Sequence, residues 1–283
     1  MSLLPSRRSF LAGAAAATAS AALPGAALAQ RRGRGRSVKK GCCFVTREDS
    51  PWLDRITALK PSWFYSWGAN RPAGVPDGVE FVPMVWGGSS SDKMAERVEK
   101  LRPRVDSGEI QWLMGFNEPD QKSQSNMTVE KVLELWPLLM ELDVPLLSPG
   151  CVHPDRDWMK QFMAGVEKKK LRVDSVAVHS YGGPSAPILM RRLQNVYKMF
   201  GRPLWITEFA VGDWKAKSVE ENKHSTGSVE AFMRQVLPAL ERARFVERYA
   251  WFSAAPSSRA LGTSALVDDE GELTRLGKLY AAW

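Results

Sequence analysis

Short apolar runs alternate with longer amphipathic segments along the chain from residue 41 almost to its end. Most of the runs are continuously hydrophobic, rather than alternating between polar and apolar residues. Strands with this composition are covered on both faces, as they are in a parallel sheet. The pattern predicts eight strands, over residues 41–45, 63–67, 81–86, 112–117, 146–150, 175–181, 204–209 and 248–252.

The segments between these strands carry helical periodicity, except for residues 68–79, which are rich in Gly and Pro. Eight strands with helices between them predict an α/β fold, a (β/α)8 TIM barrel that lacks the helix after its second strand. An open doubly wound sheet is the alternative, but no Gly-rich fingerprint follows the first strand. The predicted helices cover residues 52–59, 93–101, 129–142, 157–169, 188–199, 229–244 and 273–282.

Residues 1–29 have the organisation of a twin-arginine signal peptide. Arg7 and Arg8 precede a long Ala-rich stretch, which ends in the A-x-A sequence of residues 27–29. A membrane-spanning segment is the alternative, but the Gly and Pro residues of this stretch disfavour a stable span. We therefore expect an exported protein, periplasmic or extracellular, that is not inserted in the membrane once the leader has been removed.

The positive net charge of +8 is concentrated at the N-terminus. Eight of the 39 Lys and Arg residues lie within residues 1–40, which contain no acidic residue. The remainder of the chain therefore has 31 basic and 31 acidic residues, a balance that argues against a nucleic-acid-binding body. We predict a disordered basic arm over residues 30–40 and one catalytic barrel over residues 41–283.

Cysteine and histidine are too few and too irregularly spaced to indicate a metal site. Cys42, Cys43 and Cys151 form no C-x-x-C motif, and the three histidines lack ligand spacing. In an oxidising compartment Cys151 could pair with either of the other two cysteines, and three buried thiols are an equal alternative. We expect neither a metal nor a cofactor, and we expect a monomer.

Two glutamates follow or interrupt apolar strands at positions where a charge is costly to bury. Glu118 ends the predicted fourth strand in GFNEPD, and Glu208 lies in the seventh, in WITEFA. Because the carboxyl ends of barrel strands open onto the catalytic face, the two carboxylates can converge across the barrel mouth. A pair about 5 Å apart is the arrangement of a retaining glycosidase, in which one carboxylate is the nucleophile and the other the acid/base.

The other strand ends supply aromatic and polar side chains that suit a sugar chain. Indole and phenol rings can stack on the C–H faces of sugar rings, and amide or imidazole groups can bind the hydroxyl groups. Some of the tryptophans are equally compatible with a place in the barrel core. The predicted substrate-binding residues are Asn117, Tyr65, Trp67, Trp86, His179, Tyr181 and Trp251.

The ordered set YSW, FVPMVW, GFNEPD, VHSYGG, WITEFA and YAWF resembles glycoside hydrolase family 128, a clan A family of endo-acting β-1,3-glucanases. The resemblance extends from about residue 41 to about residue 252. It implies that Glu118 is the acid/base, that Glu208 is the nucleophile and that Asn117 binds the 2-hydroxyl group of the sugar. Its expected partner is a polysaccharide or an oligosaccharide.

Several alternatives remain open from the residues alone. Glu118 could be a surface acid in a loop, and Glu208 could be the buried ion-pair partner of Arg202 or Arg248. Another clan A enzyme, a β-1,4-glucanase, mannanase or xylosidase, would use the same two glutamates. A non-catalytic glucan-binding barrel is a third possibility, although such a protein would be expected to lose one glutamate.

Overall fold

The computed structural model describes residues 37–47 and 50–283. The predicted signal peptide and most of the predicted basic arm lie outside these residues. Eight strands, all of them parallel to their neighbours, run through the described chain. They are β1 (Lys40–Cys43), β2 (Trp63–Tyr65), β3 (Glu80–Phe81), β4 (Leu113–Met114), β5 (Leu146–Leu147), β6 (Val176–Gly182), β7 (Leu204–Val211) and β8 (Val246–Phe252).

The strands close into a barrel, which confirms the predicted (β/α)8 fold. Six of them pair in the order β3-β2-β1-β8-β7-β6, and β4 pairs with β5. Parallel bridges between Met84 and Met114, and between Leu147 and Ser175, join the two groups on both sides. Strands β3 to β5 are shorter than predicted because only isolated bridges continue their pairing toward the carboxyl ends.

Seven α-helices surround the barrel in the described part of the chain. No helix lies between β2 and β3, as predicted from the Gly- and Pro-rich segment. The second helix is longer than predicted, because it begins behind the Ser90 cap and continues past Pro103. The helices are α1 (Trp52–Leu59), α2 (Ser91–Asp106), α3 (Val129–Met140), α4 (Asp157–Lys169), α5 (Ala186–Phe200), α6 (Thr226–Arg242) and α7 (Arg275–Ala281).

Two buried layers hold the barrel together. The larger lies between the strands and the helices, where rings such as Trp136 and Phe162 pack edge to face. The smaller fills the barrel interior and includes Trp63, Tyr65 and Trp205. Large rings in the interior make the barrel a packed core rather than a pore. Buried side chains therefore close the barrel below its carboxyl-terminal mouth.

The barrel begins earlier than predicted, because the last residues of the expected basic arm are structured. Lys40 is fully buried in β1, and its Nζ donates to the carbonyl oxygens of Leu59 (3.1 Å) and Tyr280 (2.9 Å), at the ends of α1 and α7. Lys39 donates in the same way to carbonyl oxygens at the end of α6. Cations at helix carboxyl ends are favourable, so these lysines join the barrel to the helices.

Cys42, Cys43 and Cys151 are buried free thiols, so the suggested disulfide is absent from the structure. Burial raises the pKa of the Cys151 thiol well above its ordinary value, which keeps the thiol protonated and unreactive. Among the described residues, no helix has the length and apolar character needed to cross a membrane.

Candidate active site

Glu118 and Glu208 meet at the carboxyl end of the barrel. Glu208 lies within β7, and Glu118 follows β4. A ring nitrogen of His179 and one carboxylate oxygen of each glutamate all lie within 4.8 Å of one another. The two acids therefore face one small volume, as their positions after strands on opposite sides of the barrel predict.

Glu208 accepts hydrogen bonds from three aromatic side chains. The Tyr65 hydroxyl and the Trp67 indole both donate to Oε1, each over 2.9 Å, and the Tyr181 hydroxyl donates to Oε2. Burial, followed by the nearby charge of Glu208, raises the pKa of Tyr65 and of Tyr181 well above the ordinary range, so both phenols stay protonated. Three donors directed at two oxygens suit an ionised carboxylate, which can only accept.

Glu118 has a different neighbour, the buried imidazole of His179. Nδ1 of His179 lies 2.8 Å from Glu118 Oε1 and 3.6 Å from Glu208 Oε2. Burial of the ring opposes protonation, but the charges of Glu208 and Glu118 outweigh it and raise the pKa of His179 above 6.5. His179 therefore holds Glu118 in place and balances charge between the two carboxylates.

The backbone around Glu118 is fixed by the neighbouring strands. Glu118 has a φ of +41°, a value that bulky residues rarely adopt, and its N–H donates to the carbonyl oxygen of Gly150 over 2.7 Å. Beyond it, Asp120 accepts hydrogen bonds from the N–H groups of Val152 (3.0 Å) and His153 (3.0 Å), which ties the β4 loop to the loop after β5. Backbone strain of this kind is concentrated at functional sites.

An open cleft of about 370 Å³ lies above the two glutamates. Asn117 lines it beside Glu118. Its Nδ2 donates to Gln124 (3.2 Å), and its Oδ1 has no donor among the residues that the structure describes. Trp86 is 41% exposed and Trp214 is 61% exposed, so both indoles can contact a bound molecule. The remaining lining residues are Val45, Trp67, Tyr181, Phe252 and Leu261.

Sequence comparison identifies the family. A family model described as "Glycosyl hydrolase catalytic core" matches residues 41–280. An endo-β-1,3-glucanase of glycoside hydrolase family 128 from Amycolatopsis mediterranei, solved with laminaritriose, is 32% identical and superimposes with a TM-score of 0.73. The match covers 87% of this chain and 99% of that enzyme. The chain belongs to glycoside hydrolase family 128.

Other proteins similar to this chain differ from one another in mode of action or in size. A subgroup II endo-β-1,3-glucanase from Sorangium cellulosum is 27% identical over 86% of this chain and 97% of its own, with a TM-score of 0.70. A curdlan-specific exo-β-1,3-glucanase from Blastomyces gilchristii is 26% identical over 86% and 97%, with a TM-score of 0.65. Alkali-sensitive linkage protein 1 of Schizosaccharomyces pombe is 28% identical over 256 residues, which are 86% of this chain but only 44% of the yeast protein.

Not every predicted substrate-binding residue of this family 128 protein reaches the cleft. Trp251 is fully buried on the helix side of β8, where its ring packs against Phe209 and its indole donates to the Ser264 carbonyl oxygen over 2.9 Å. Its assignment to the substrate site is therefore wrong. The next residue, Phe252, lines the cleft instead, because neighbouring strand residues face opposite sides of a sheet.

Tyr65 and His179 also need correction, although both belong to the active site. Tyr65 has no exposed surface and His179 only 1%, so neither can bind substrate directly. Tyr65 instead donates a hydrogen bond to Glu208, and His179 is hydrogen-bonded to Glu118, so each positions a carboxylate from the buried side of the site. Trp67, Trp86, Asn117 and Tyr181 do line the cleft.

Two aromatic or polar cleft residues had no signal in the strand-end pattern. Trp214 lies three residues beyond the end of β7, and Gln124 lies in the loop after Glu118. A tryptophan close behind a catalytic strand was the available signal for the first. For Gln124, the sequence offered only its position in a polar loop.

The alternative ion pairs for Glu208 are not formed. Arg202 pairs with Glu167 (2.5 Å), and Arg248 pairs with Glu80 (2.7 Å). The trio of Glu118, His179 and Glu208 also has the spacing of a possible cation site. In the structure the oxygens of Glu208 accept hydrogen bonds from Tyr65, Trp67 and Tyr181.

Proposed function

We propose that this protein is an endo-acting β-1,3-glucanase that hydrolyses its substrate with retention of configuration. The observation that carries the proposal is the separation of the two carboxylates, whose oxygens come within 4.8 Å. Retaining glycosidases hold their carboxyl groups about 5–5.5 Å apart, whereas inverting enzymes leave about 6.5–9.5 Å for a water molecule.

The hydrogen bonds support a different role for each glutamate. Glu208, held by three donors, suits the ionised nucleophile, and one of its oxygens attacks the anomeric carbon to form a glycosyl-enzyme. Among the described residues, Glu118 has no such donor apart from His179, and it donates a proton to the departing glycosidic oxygen. In the second step Glu118 takes a proton from water, which attacks the anomeric carbon and releases Glu208.

The choice of β-1,3-glucan rests on the solved relatives and on the shape of the cleft. The enzyme from A. mediterranei has been solved with laminaritriose, laminaripentaose and laminarihexaose. This chain offers the exposed rings of Trp86 and Trp214 on two sides of the carboxylates, with Asn117 beside them for a hydroxyl group. Such rings suit the C–H faces of successive sugar residues.

Cavities on both sides of the cleft favour cleavage within a chain. One, of about 330 Å³, shares Trp67 and Trp86 with the cleft. The other, of about 450 Å³, shares Gln124, Tyr181 and Trp214. A chain can therefore continue past the carboxylates in both directions, whereas release of single sugars from an end would need one side to be closed.

Reducing-sugar release from laminarin, curdlan, lichenan, mannan and xylan tests the substrate. We expect activity on the first two, with early products that are oligosaccharides rather than glucose, and none from the Glu208→Gln variant. Equal or greater activity on mannan or xylan would overturn the proposed linkage. If glucose is the sole early product, the enzyme is exo-acting and the proposed endo action is wrong.

We further propose that the protein is exported through the twin-arginine route and acts as a monomer. The Arg7-Arg8 pair and the Ala-rich leader support the route, and a balanced charge after residue 40 suits a body without nucleic-acid partners. Replacing both arginines with lysine should retain the precursor in the cytoplasm. Unchanged export would indicate the general secretory route, and light scattering of the mature protein tests the monomer.

A further inference from the structure

A second cavity adjoins the cleft and is lined on one side by basic residues. It shares Trp67 and Trp86 with the cleft, and helix α2 forms its outer wall. Arg97, Lys100 and Arg104 of this helix line the cavity, and its lining contains no acidic residue. We refer to this space as the basic pocket. The cleft beside it has the opposite character, because Glu118 and Glu208 line it.

One of the three charges has a structural function. Arg104 pairs with Glu109 over 2.9 Å and donates to the Ala69 carbonyl oxygen over 2.7 Å. It therefore joins α2 to the loop that replaces the missing helix after β2. Its charge is largely neutralised by Glu109.

The other two charges are not neutralised by a carboxylate. Arg97 donates to the carbonyl oxygen of Gly87, which is uncharged, and Lys100 makes no ion pair among residues 37–47 and 50–283. On the same helix Arg102 does pair, with Glu99 and Glu141, but outside the pocket. Two unneutralised cations that line one cavity produce a positive potential there.

We infer that the basic pocket binds an anionic substituent, a carboxylate, sulfate or phosphoryl group, on the glucan chain that occupies the cleft. This inference rests on the proposed function. Because Trp67 and Trp86 line both spaces, a sugar ring stacked on either indole would place its substituents at the entrance of the pocket. A neutral glucan has hydroxyl groups only, which need no cations, whereas Arg and Lys side chains favour anionic oxygens.

Kinetics on carboxymethylated and unmodified curdlan oligosaccharides of equal length test the inference. The measured quantity is the ratio of kcat/KM for the anionic substrate to kcat/KM for the neutral one. Lys100→Gln should lower this ratio about 1.5-fold to fivefold, the scale of one exposed charge pair. Arg97→Lys, which keeps the charge, should lower it less than Arg97→Gln does. Arg102→Gln is the matched control on the same helix and should leave the ratio unchanged.

Ionic strength provides a second measurement. The preference of the wild type for the anionic substrate should weaken between about 20 mM and about 300 mM sodium chloride, because salt screens partly exposed charges. Added sodium sulfate at the same ionic strength should weaken it further if a free anion occupies the pocket. A ratio that is insensitive to Lys100→Gln and to salt would overturn the inference.

The proposed function and the inference can fail separately. If neither oligosaccharide is cleaved, the proposed function fails, and titration calorimetry of the two ligands with the Glu208→Gln protein still measures the pocket. The carboxymethylated ligand should bind more tightly than the neutral one, and Lys100→Gln should abolish this difference. That result would support anion binding in the basic pocket even without catalysis. Equal affinity for both ligands would exclude it.

Discussion

Tyr65 and Trp67, two residues apart at the end of β2, donate to the same oxygen of Glu208, each over 2.9 Å. The backbone of Trp67 has a φ of +58°, a left-handed conformation that costs a residue other than glycine about 1–3 kcal/mol. The strand end is therefore arranged around the carboxylate.

The shared oxygen predicts a non-additive pair of mutations. Tyr65→Phe and Trp67→Phe should each lower kcat about tenfold to a hundredfold, since a hydrogen bond to a charged group contributes about 1.5–3 kcal/mol. The double variant should lose more than the product of the two, because Oε1 then has no donor. Steady-state kinetics of the four proteins form the required cycle.

The control for this cycle is another buried tyrosine. Tyr249→Phe removes a hydroxyl group that donates to Glu241 over 2.6 Å, far from the carboxylate pair. It should leave kcat unchanged. If the losses in kcat from Tyr65→Phe and Trp67→Phe are strictly additive, the two donors orient Glu208 independently of each other.

Gly150 predicts a second, purely steric effect on the site. A Cβ atom at this position would lie 2.6 Å from Nε2 of His179, a buried ring nitrogen without a hydrogen-bond partner in the described part of the chain. Gly150→Ala should push the imidazole away from Glu118 and lower kcat by about tenfold or more, with little change in KM. Gly182→Ala, at the end of β6 where nothing lies within 4 Å of the new carbon, is the matched control. Equal activity in the two variants would show that His179 can move freely.

The sequence predicted the barrel because parallel strands that are buried on both faces give recognisable apolar runs. The same property concealed which way each side chain points. In β8, Trp251 and Phe252 are both large and apolar, so no polar alternation indicates which of them faces the mouth. A register shift where β7 pairs with β8 further separates sequence position from orientation.

The sequence also does not indicate which residues position the two carboxylates from the buried side of the site. Tyr65 and His179 were recognised as strand-end polar residues, but only the packed structure shows that both are buried and act through hydrogen bonds. The length of α2 was missed because Pro103 normally indicates the end of a helix. Here the helix continues for three residues beyond it.

Trp214 and Trp251 should respond to mutation in opposite ways. Trp251→Ala removes a fully buried ring and should destabilise the protein by about 3–5 kcal/mol. Trp214→Ala should weaken oligosaccharide binding by roughly 1–3 kcal/mol and leave the melting temperature almost unchanged, since its ring is 61% exposed. Thermal unfolding and titration with laminarioligosaccharides separate the two effects. A stable Trp251→Ala protein with weakened binding would return that residue to the site.

The raised pKa of His179 predicts a pH-dependent contribution to stability. Burial lowers this pKa, but Glu208, Glu118 and Asp120 together raise it above 6.5. A histidine whose pKa is higher in the folded state stabilises the protein fully below its unfolded pKa, and the gain disappears as the pH rises through the folded pKa. The difference in unfolding free energy between wild type and His179→Gln should therefore be larger near about pH 5.5 than near about pH 9. Urea denaturation at the two pH values measures it, and an equal difference at both would mean that the ring is neutral throughout.

The products of azide rescue distinguish the roles of Glu118 and Glu208. Glu118→Gln lacks the proton donor, but Glu208 can still attack a dinitrophenyl glycoside, whose leaving group needs little protonation. The glycosyl-enzyme then accumulates until azide, which needs no general base, attacks it and gives a β-glycosyl azide. Glu208→Gln cannot form this intermediate, so azide attacks the substrate directly and gives the α-azide. Proton NMR of the products distinguishes the two, and exchanged configurations would mean that the roles of Glu118 and Glu208 are reversed. Near-normal activity in both variants without azide would exclude the double-displacement mechanism.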